Sequence, residues 1–396
     1  MDLRRDEEAQ IIRRFTGSMK LGLKQFFGGL ESLRGVAALI VVFFHVNDFN
    51  WPNPLTSHRF FCNGYLMVDL FFVLSGFVIC HNYRLKIGDA GDIGHFMFLR
   101  LGRLYPLHLY CLLAFLGIEI AKYIGQLKFN FVPHVHGAFS ANNAPSFVAN
   151  LLLIQSFFSF SNLTFDGPSW SISVEFYTYL IFAVVILFFP KKKSFLVVSG
   201  SLILLTMLPL LLCNVNGVTV LPGWSFLRCV LGFFIGVLAY HIYDHYHRYI
   251  SRWSEKVAFC LLIILIIFMS FRNNAEVDGI LVLPVFFALI ITIAAEPAGL
   301  ISKMVNSAPL RWLGRVSYSI YMLHYMVLMF VFRLFVFTQK YFHTDNRNEI
   351  GLAFVFLAIT LVLIISQFTY QWIEKPYQNE FRDLATKWFK QWKGCA

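Results

Sequence analysis

Residues 33–45 read Leu33-Arg34-Gly35-Val36-Ala37-Ala38-Leu39-Ile40-Val41-Val42-Phe43-Phe44-His45, an apolar run with a guanidinium at one end and an imidazole at the other. The apolar stretch extends over about 34–50, close to the ~20 residues that a helix needs to cross a bilayer core. Arg34 and His45 are eleven residues apart. At 100° per residue they return to within about 20° of one helix face, some ~16 Å apart along the axis. An ionisable group at membrane depth costs several kcal/mol unless it is paired or hydrated, so each one asks for a reason. Taken singly, Arg34 reads as a topology anchor and His45 as an interfacial residue near the outer end. Their alignment on one face is what points to chemistry.

Outward from this run the pattern repeats. Further apolar runs of similar length fall at about 64–80, 104–124, 171–189, 195–213, 224–241, 257–271, 280–295, 317–337 and 351–372. The stretch 147–160 is shorter and flanked by Ser and Asn, and reads as a re-entrant or interfacial piece. The composition agrees: 58% of 396 residues are apolar, only 14% are charged, and 45 Phe stand against 22 acidic residues. A soluble domain of this length needs more charge to cover its surface. The net charge of +11 is spread in short basic clusters between apolar runs, which is a membrane-surface pattern rather than a nucleic-acid-binding stripe. The expected fold is therefore an all-α, polytopic transmembrane bundle of about ten helices. Threading the chain through ten spans puts 25 Lys and Arg on the side of the N-terminal tail and six on the other, with Arg228 and Arg333 inside spans. By the positive-inside rule both termini are expected in the cytoplasm. The expected division is a basic tail over 1–30, one membrane domain over 31–378 and a second cytoplasmic tail over 379–396. No internal repeat, cleavable signal peptide or appended soluble domain is read from the sequence. The seven cysteines have neither metal-ligand spacing nor a pairing rhythm, so neither a metal site nor a disulfide framework is expected.

Four more segments carry polar groups into apolar surroundings. In Val68-Asp69-Leu70-Phe71-Phe72-Val73-Leu74-Ser75-Gly76-Phe77 a carboxylate is buried early in the second span. Asp69 shares a face with Gly76, which would admit a neighbouring helix closely. Asp69 is either a catalytic acid or the structural partner of a neighbouring group. Arg100 and Arg103 share a face ahead of Pro106, a residue suited to a first helical turn, and form either a phosphate clamp or ordinary positive-inside residues. Ser171, Glu175 and Tyr179 follow Gly167-Pro168-Ser169-Trp170 at four-residue spacing, making a polar stripe on the fourth span. Ser317, Tyr321 and His324 line one face of the ninth, where His324 is a site residue or a satisfied core histidine. The arginines fall at the cytoplasmic edge and His45, Asp69 and Glu175 in the outer half, with His324 near the middle. That depth order suits group transfer from a phosphate-bearing donor inside to an acceptor approaching from outside.

The segments Leu33–His45, Val68–Phe77, Arg100–Pro106, Trp170–Glu175 and Leu313–His324, closed by Ile373-Glu374-Lys375-Pro376, resemble in order those of the acyltransferase-3 family of membrane O-acyltransferases. The resemblance covers nearly all of residues 30–378. It implies transfer of an acyl group, usually acetyl from cytoplasmic acetyl-CoA, to hydroxyls of envelope glycans or lipid-linked sugars. It implies a bacterial inner-membrane location, with acyl-CoA as donor substrate and no permanently bound cofactor. Carried over, Arg34 and His45 match the family's first-helix pair, Arg100 and Arg103 its donor-side arginines, and Glu175 the acid of its Trp-Ser motif. Together they give a catalytic set of His45, Arg34, Glu175 and Asp69. The substrate-binding set is Arg100, Arg103, Ser171, Tyr179, Tyr321 and His324. His45 is expected to act as general base or, alternatively, to carry the acyl group transiently, with Glu175 or Asp69 orienting it. Two departures from the pattern, His108 and the loop 125–170 with His134 and His136, are candidates for acceptor selection. The rival reading is a transporter or flippase of lipid-linked sugars. It accounts for the spans but not for the aligned Arg34 and His45, and the inverted repeats common in transporters are absent.

Overall fold

In hydrocarbon a backbone must satisfy its own hydrogen bonds, so runs of this length and composition fold as helices. The computed structural model describes residues 27–394 apart from 50, 57, 130–136, 158–162, 213–223, 252, 272–277, 296–298 and 343–346. Every regular element among the described residues is helical. In chain order the principal helices are α1 (Gly28–Val46), α2 (Met67–Tyr83), α3 (Ala90–Phe129), α4 (Ala144–Leu151), α5 (Trp170–Phe188), α6 (Lys192–Leu212), α7 (Trp224–Ile250), α8 (Ser254–Phe271), α9 (Leu283–Ala294), α10 (Ala308–Phe342), α11 (Arg347–Thr369) and α12 (Lys375–Gly394).

Among the described residues nine helices are long and apolar enough to cross a membrane. The expected eighth span, 280–295, is not one of them: α9 has 12 residues, ~18 Å of helix against a ~30 Å hydrocarbon core. The packing nonetheless requires a crossing there. Asn63, just ahead of α2, donates to the carbonyl of Met269 near the end of α8, so that end of α8 lies at the level where α1 ends. At the other end of α9, Ile293 packs on Gly29 at the start of α1. The chain therefore travels the depth of the bundle between 271 and 293, using a short helix, Asp278–Leu281, and α9 in series.

Small residues set the tightest crossings. Without a hydrophobic drive between helices in lipid, close backbone approach is what stabilises a pair. A Cβ on Gly76 would overlap the carbonyl oxygen of Phe233 on α7, and one on Gly236 of α7 would overlap that of Val73 on α2. On the other side of the core, a Cβ on Gly35 of α1 would sit 2.5 Å from the backbone nitrogen of Gly314 on α10. Contacts between α1 and α10 advance together along both chains, from Arg34 with Ser317 to His45 with His324 and Phe49 with Phe332, so the two helices are parallel. Helices α6 and α8 bury least of their surface and turn residues such as Leu205 and Ile266 outward, as lipid-facing helices do.

One further expectation changes. Pro106 does not open a helix; it lies inside α3, whose 40 residues extend ~60 Å, well beyond one bilayer core. A π-helical turn, Tyr370–Glu374, joins α11 to α12 without a break, and α12 packs back along the first half of α3 through Phe381 on Gly102 and Phe98. The stretch 147–160 begins inside α4, an eight-residue helix started by the Asn143 side chain accepting from Ser146 N and followed by a turn. His134 and His136, with residues 1–26, lie outside the described residues.

Candidate active site

At the far end of the α1–α10 interface two imidazoles meet. His324 Nε2 lies 3.1 Å from His45 Nδ1. His324 Nδ1 faces two carbonyl oxygens, those of Tyr321 at 2.7 Å and Ile320 at 3.2 Å, so it carries the proton and its Nε2 is the acceptor. His45 Nδ1 then lies between two acceptors, His324 Nε2 and Val41 O at 3.0 Å, and must itself be the donor. In the neutral pair this leaves the lone pair of His45 on Nε2, which has no partner among the described residues. His324 is fully buried. The structure thus joins the two histidines directly, with His324 as the residue that fixes the tautomer of His45, while neither Glu175 nor Asp69 bonds to either ring.

About 16 Å back along α1, Arg34 donates from Nε to Ser317 Oγ at 2.8 Å and from Nη2 to Gly314 O at 3.2 Å, both on α10. The same two helices therefore hold Arg34 and His45, and the aligned face inferred from the sequence is the face that meets α10. Arg34 lies within electrostatic reach of Arg103, Glu374 and Glu175, and Arg103 within reach of Glu374, Tyr179, Glu175 and Tyr318. The two arginines of α3 differ in what they contact. Arg100 donates from Nη2 to Tyr83 OH at 2.8 Å and stacks over the rings of Tyr83 and Phe96. Arg103 has no hydrogen-bond or ion-pair partner among the described residues, although acids surround it.

Between the two ends lies the polar stripe of α5. Tyr179 OH donates to Glu175 Oε1 at 2.6 Å and lies 2.9 Å from Ser75 Oγ on α2. Ser171 Oγ lies 2.8 Å from Tyr321 OH, and Tyr321 OH also reaches the carbonyl of Pro168 at 2.9 Å. Ser171 and Tyr321 are therefore committed to each other and to the turn before α5. Asp69 is committed as well. Both its oxygens accept from Arg228 of α7, at 2.6 Å each, and the guanidinium is flanked by the rings of Tyr65 and Trp170.

A family model described as Acyltransferase domain, of the acyltransferase-3 type, matches residues 27–370. The chain belongs to the acyltransferase-3 family. Among curated proteins it is 26% identical to YrhL of Bacillus subtilis, provisionally named a peptidoglycan O-acetyltransferase, over 93% of this chain and 58% of that protein. It is 23% identical to the peptidoglycan O-acetyltransferase OatA of Listeria monocytogenes, over 93% of this chain and 59% of that protein. A Staphylococcus aureus (strain COL) protein, provisionally named an O-acetyltransferase, is 24% identical over 92% and 59%. The chain spans about three fifths of the length of these curated relatives. No solved structure matches it significantly. It is a multi-pass membrane protein of a family whose relatives here are bacterial.

Within this acyltransferase-3 bundle two charged residues matter that were not singled out from the sequence as site residues. Arg228 was visible as a cation inside a span, but its partner lies 159 positions away and only the fold supplies it. Glu374 stands at the end of the π-helical turn, buried, accepting from Ser319 Oγ at 2.9 Å and Gln378 Nε2 at 3.0 Å while facing Arg103 and Arg34. π turns recur at functional sites because they re-aim a side chain. The available signal was its place in the Ile373–Pro376 motif.

Proposed function

We propose that this chain is an O-acyltransferase that moves an acyl group, acetyl by family resemblance, from cytoplasmic acyl-CoA to a hydroxyl of an envelope glycan. The names of its relatives favour peptidoglycan as the glycan class. The observation that carries the reading is the His45–His324 hydrogen bond, which leaves His45 Nε2 as an uncommitted base. It stands at the far end of a helix face whose near end carries Arg34, with Arg103 close by. In this mechanism Nε2 takes the proton of the acceptor hydroxyl as its oxygen attacks the thioester carbonyl. The carbon–sulfur bond then breaks, and the coenzyme A thiolate leaves with the proton that the imidazolium returns. His324 accepts from Nδ1–H and steadies the positive charge. Arg103, without a hydrogen-bond or ion-pair partner among the described residues, receives donor phosphate, and Arg34 receives the pantetheine or phosphate below the histidines. Glu175 and Glu374 hold the field around Arg103. Asp69, through Arg228, positions α2 against α7 and the Trp170 end of α5.

In this proposal both termini are cytoplasmic. The 25-to-six distribution of basic residues supports that orientation. So does the placing of Glu374, near the end of the last span, beside Arg34 at the start of the first.

The test is transfer by the full chain in lipid nanodiscs with radiolabelled acetyl-CoA and peptidoglycan fragments. His45→Ala should lower kcat by about 10²–10⁴-fold, the usual worth of a general base, while donor binding measured separately is kept. His324→Ala should fall between that variant and wild type, because His45 then loses the partner that holds its tautomer. Residual His45→Ala activity within tenfold of wild type would remove His45 from the chemistry.

A further inference from the structure

The turn that enters α5 carries a carboxylate that none of the preceding mechanism uses. Asp166 is 2% exposed, and neither of its oxygens has a hydrogen-bond partner among the described residues. An unpaired buried carboxylate is among the more expensive groups a fold can retain. The chain reaches it through strain: Phe165, the preceding residue, adopts φ 57°, a left-handed conformation that bulky residues rarely take, and is held by Asn142 Oδ1 accepting from its N–H. Burial pushes the Asp166 carboxyl well above the usual range, and no cation within reach opposes that.

Its surroundings share the same deficit. Asn150 donates to Thr164 Oγ1 at 3.0 Å, yet Asn150 Oδ1 is buried without a partner. Gln155 donates to Ser169 O, yet its Oε1 is likewise orphaned, and Leu153 close by is a second left-handed residue, φ 56°. His108 on α3 bonds to Asn150 O through Nε2, leaving its buried Nδ1 unpartnered. Four orphaned oxygens and one ring nitrogen thus belong to, or hydrogen-bond with, the single segment 150–169.

This segment borders the histidine pair. Two residues after Asp166, Pro168 O receives the hydroxyl of Tyr321, whose ring centroid lies 5.8 Å from that of His324. Asp166 acts electrostatically on both Tyr321 and Tyr325, and the Tyr325 ring lies 5.8 Å from that of His45. What such a place would hold follows from its chemistry. A buried acid with no basic group beside it offers an anion no attraction. A metal ion lacks ligands, since no cluster of three or more His, Cys, Asp or Glu occurs among the described residues. A neutral molecule rich in O–H and N–H donors is what orphaned acceptor oxygens match.

Resting on the proposed glycan acetylation, we propose that Asp166, with Asn150 and Gln155, forms the acceptor subsite, taking hydroxyl and amide hydrogens of an N-acetylhexosamine and presenting its free hydroxyl to His45. Asp166 is there a substrate-binding residue whose unpaired carboxylate lowers the stability of the ligand-free protein.

The experiment uses the full chain in nanodiscs, with N-acetylglucosamine oligomers as the probe. Binding is followed by the saccharide-induced shift in thermal unfolding, and transfer by radiolabelled acetyl-CoA. Asp166→Asn and Asp166→Leu should each raise the Tm of the ligand-free protein. Asp166→Leu should weaken saccharide binding and raise the acceptor KM by about 5–100-fold, as expected for leaving a sugar hydroxyl buried without its partner. The donor KM should stay within about twofold. A lowered Tm with unchanged saccharide affinity would make Asp166 a structural residue and overturn the proposal. So would a wild type that binds no saccharide. Wild type that binds the oligomer through Asp166 but transfers nothing to it would uphold the subsite while refuting the acetylation reading.

Discussion

Arg100 and Arg103 are one helical turn apart and chemically identical, yet their surroundings assign them different work. Arg100 is spent on Tyr83 and two aromatic faces. Arg103 keeps its guanidinium unpaired beside Glu374 and Glu175. Arg103→Gln should therefore raise the donor KM by about 10–150-fold, the equivalent of ~1.5–3 kcal/mol for a lost charge-assisted contact. Arg103→Lys should recover only part, lacking the planar fork. Arg100→Gln should act mainly on stability. Equal donor KM changes in the two variants would contradict this division. Asp69 makes the parallel point. Its sequence context left open a catalytic acid or a structural partner, and the bidentate pair with Arg228 favours the second. Asp69→Ala should cost about 3–5 kcal/mol by removing the carboxylate that faces the buried Arg228 guanidinium, whereas Asp69→Leu combined with Arg228→Met should restore most of the thermal stability. An unaltered melting profile in Asp69→Ala would show that the pair holds nothing. Residue type was legible in the sequence for every one of these groups. Pairing was not, because partners such as Asp69 and Arg228 or Arg34 and Ser317 are brought together only by tertiary packing.

At the scale of elements the apolar runs located nine of ten crossings, since ~20 apolar residues have few alternatives to a helix in lipid. The eighth was placed correctly but its form was not. Residues 280–295 are apolar throughout, but the regular helix covers only 12 of them, preceded by a break at Val282. Pro106 misled because a proline usually marks a first turn, whereas in a long membrane helix neighbouring groups tolerate it in the interior. Glycine gave a better signal. Gly76 was expected to admit a close neighbour, and the backbone of α7 is what it admits. Gly76→Ala should therefore destabilise the bundle and reduce folded yield. Gly117→Ala, in α3 with no atom within 4 Å of the added methyl, should raise stability by about 0.5–1 kcal/mol. Fluorescence-detected size-exclusion chromatography after graded heating compares the two. Equal behaviour would mean that the α2–α7 contact does not control assembly.

For the whole molecule, everything turns on α1 and α10 running parallel. Parallel neighbours that are the first and ninth crossings require an odd number of passages between the end of one and the start of the other, the second to the eighth, so the short α9 segment has to carry the chain across. Only then do Arg34 and Arg103 share one end of the bundle while His45, His324 and the turn at Asp166 sit deeper toward the other. Exposed positions at the ends of described helices report on this directly. With native cysteines replaced, Leu85→Cys and Tyr249→Cys should react with an impermeant thiol reagent only from the cytoplasmic side, and Phe129→Cys and Tyr341→Cys only from outside; all four residues are well exposed. Tyr341 is the decisive position. If α9 failed to cross, α10 would be inverted and Tyr341→Cys would label together with Leu85→Cys, separating Arg34 from Ser317 and His45 from His324. Labelling of Tyr341→Cys with Phe129→Cys keeps the odd number of intervening passages. It also keeps a path in which a donor held by arginines at the cytoplasmic end meets, at one imidazole, an acceptor arriving from the opposite face.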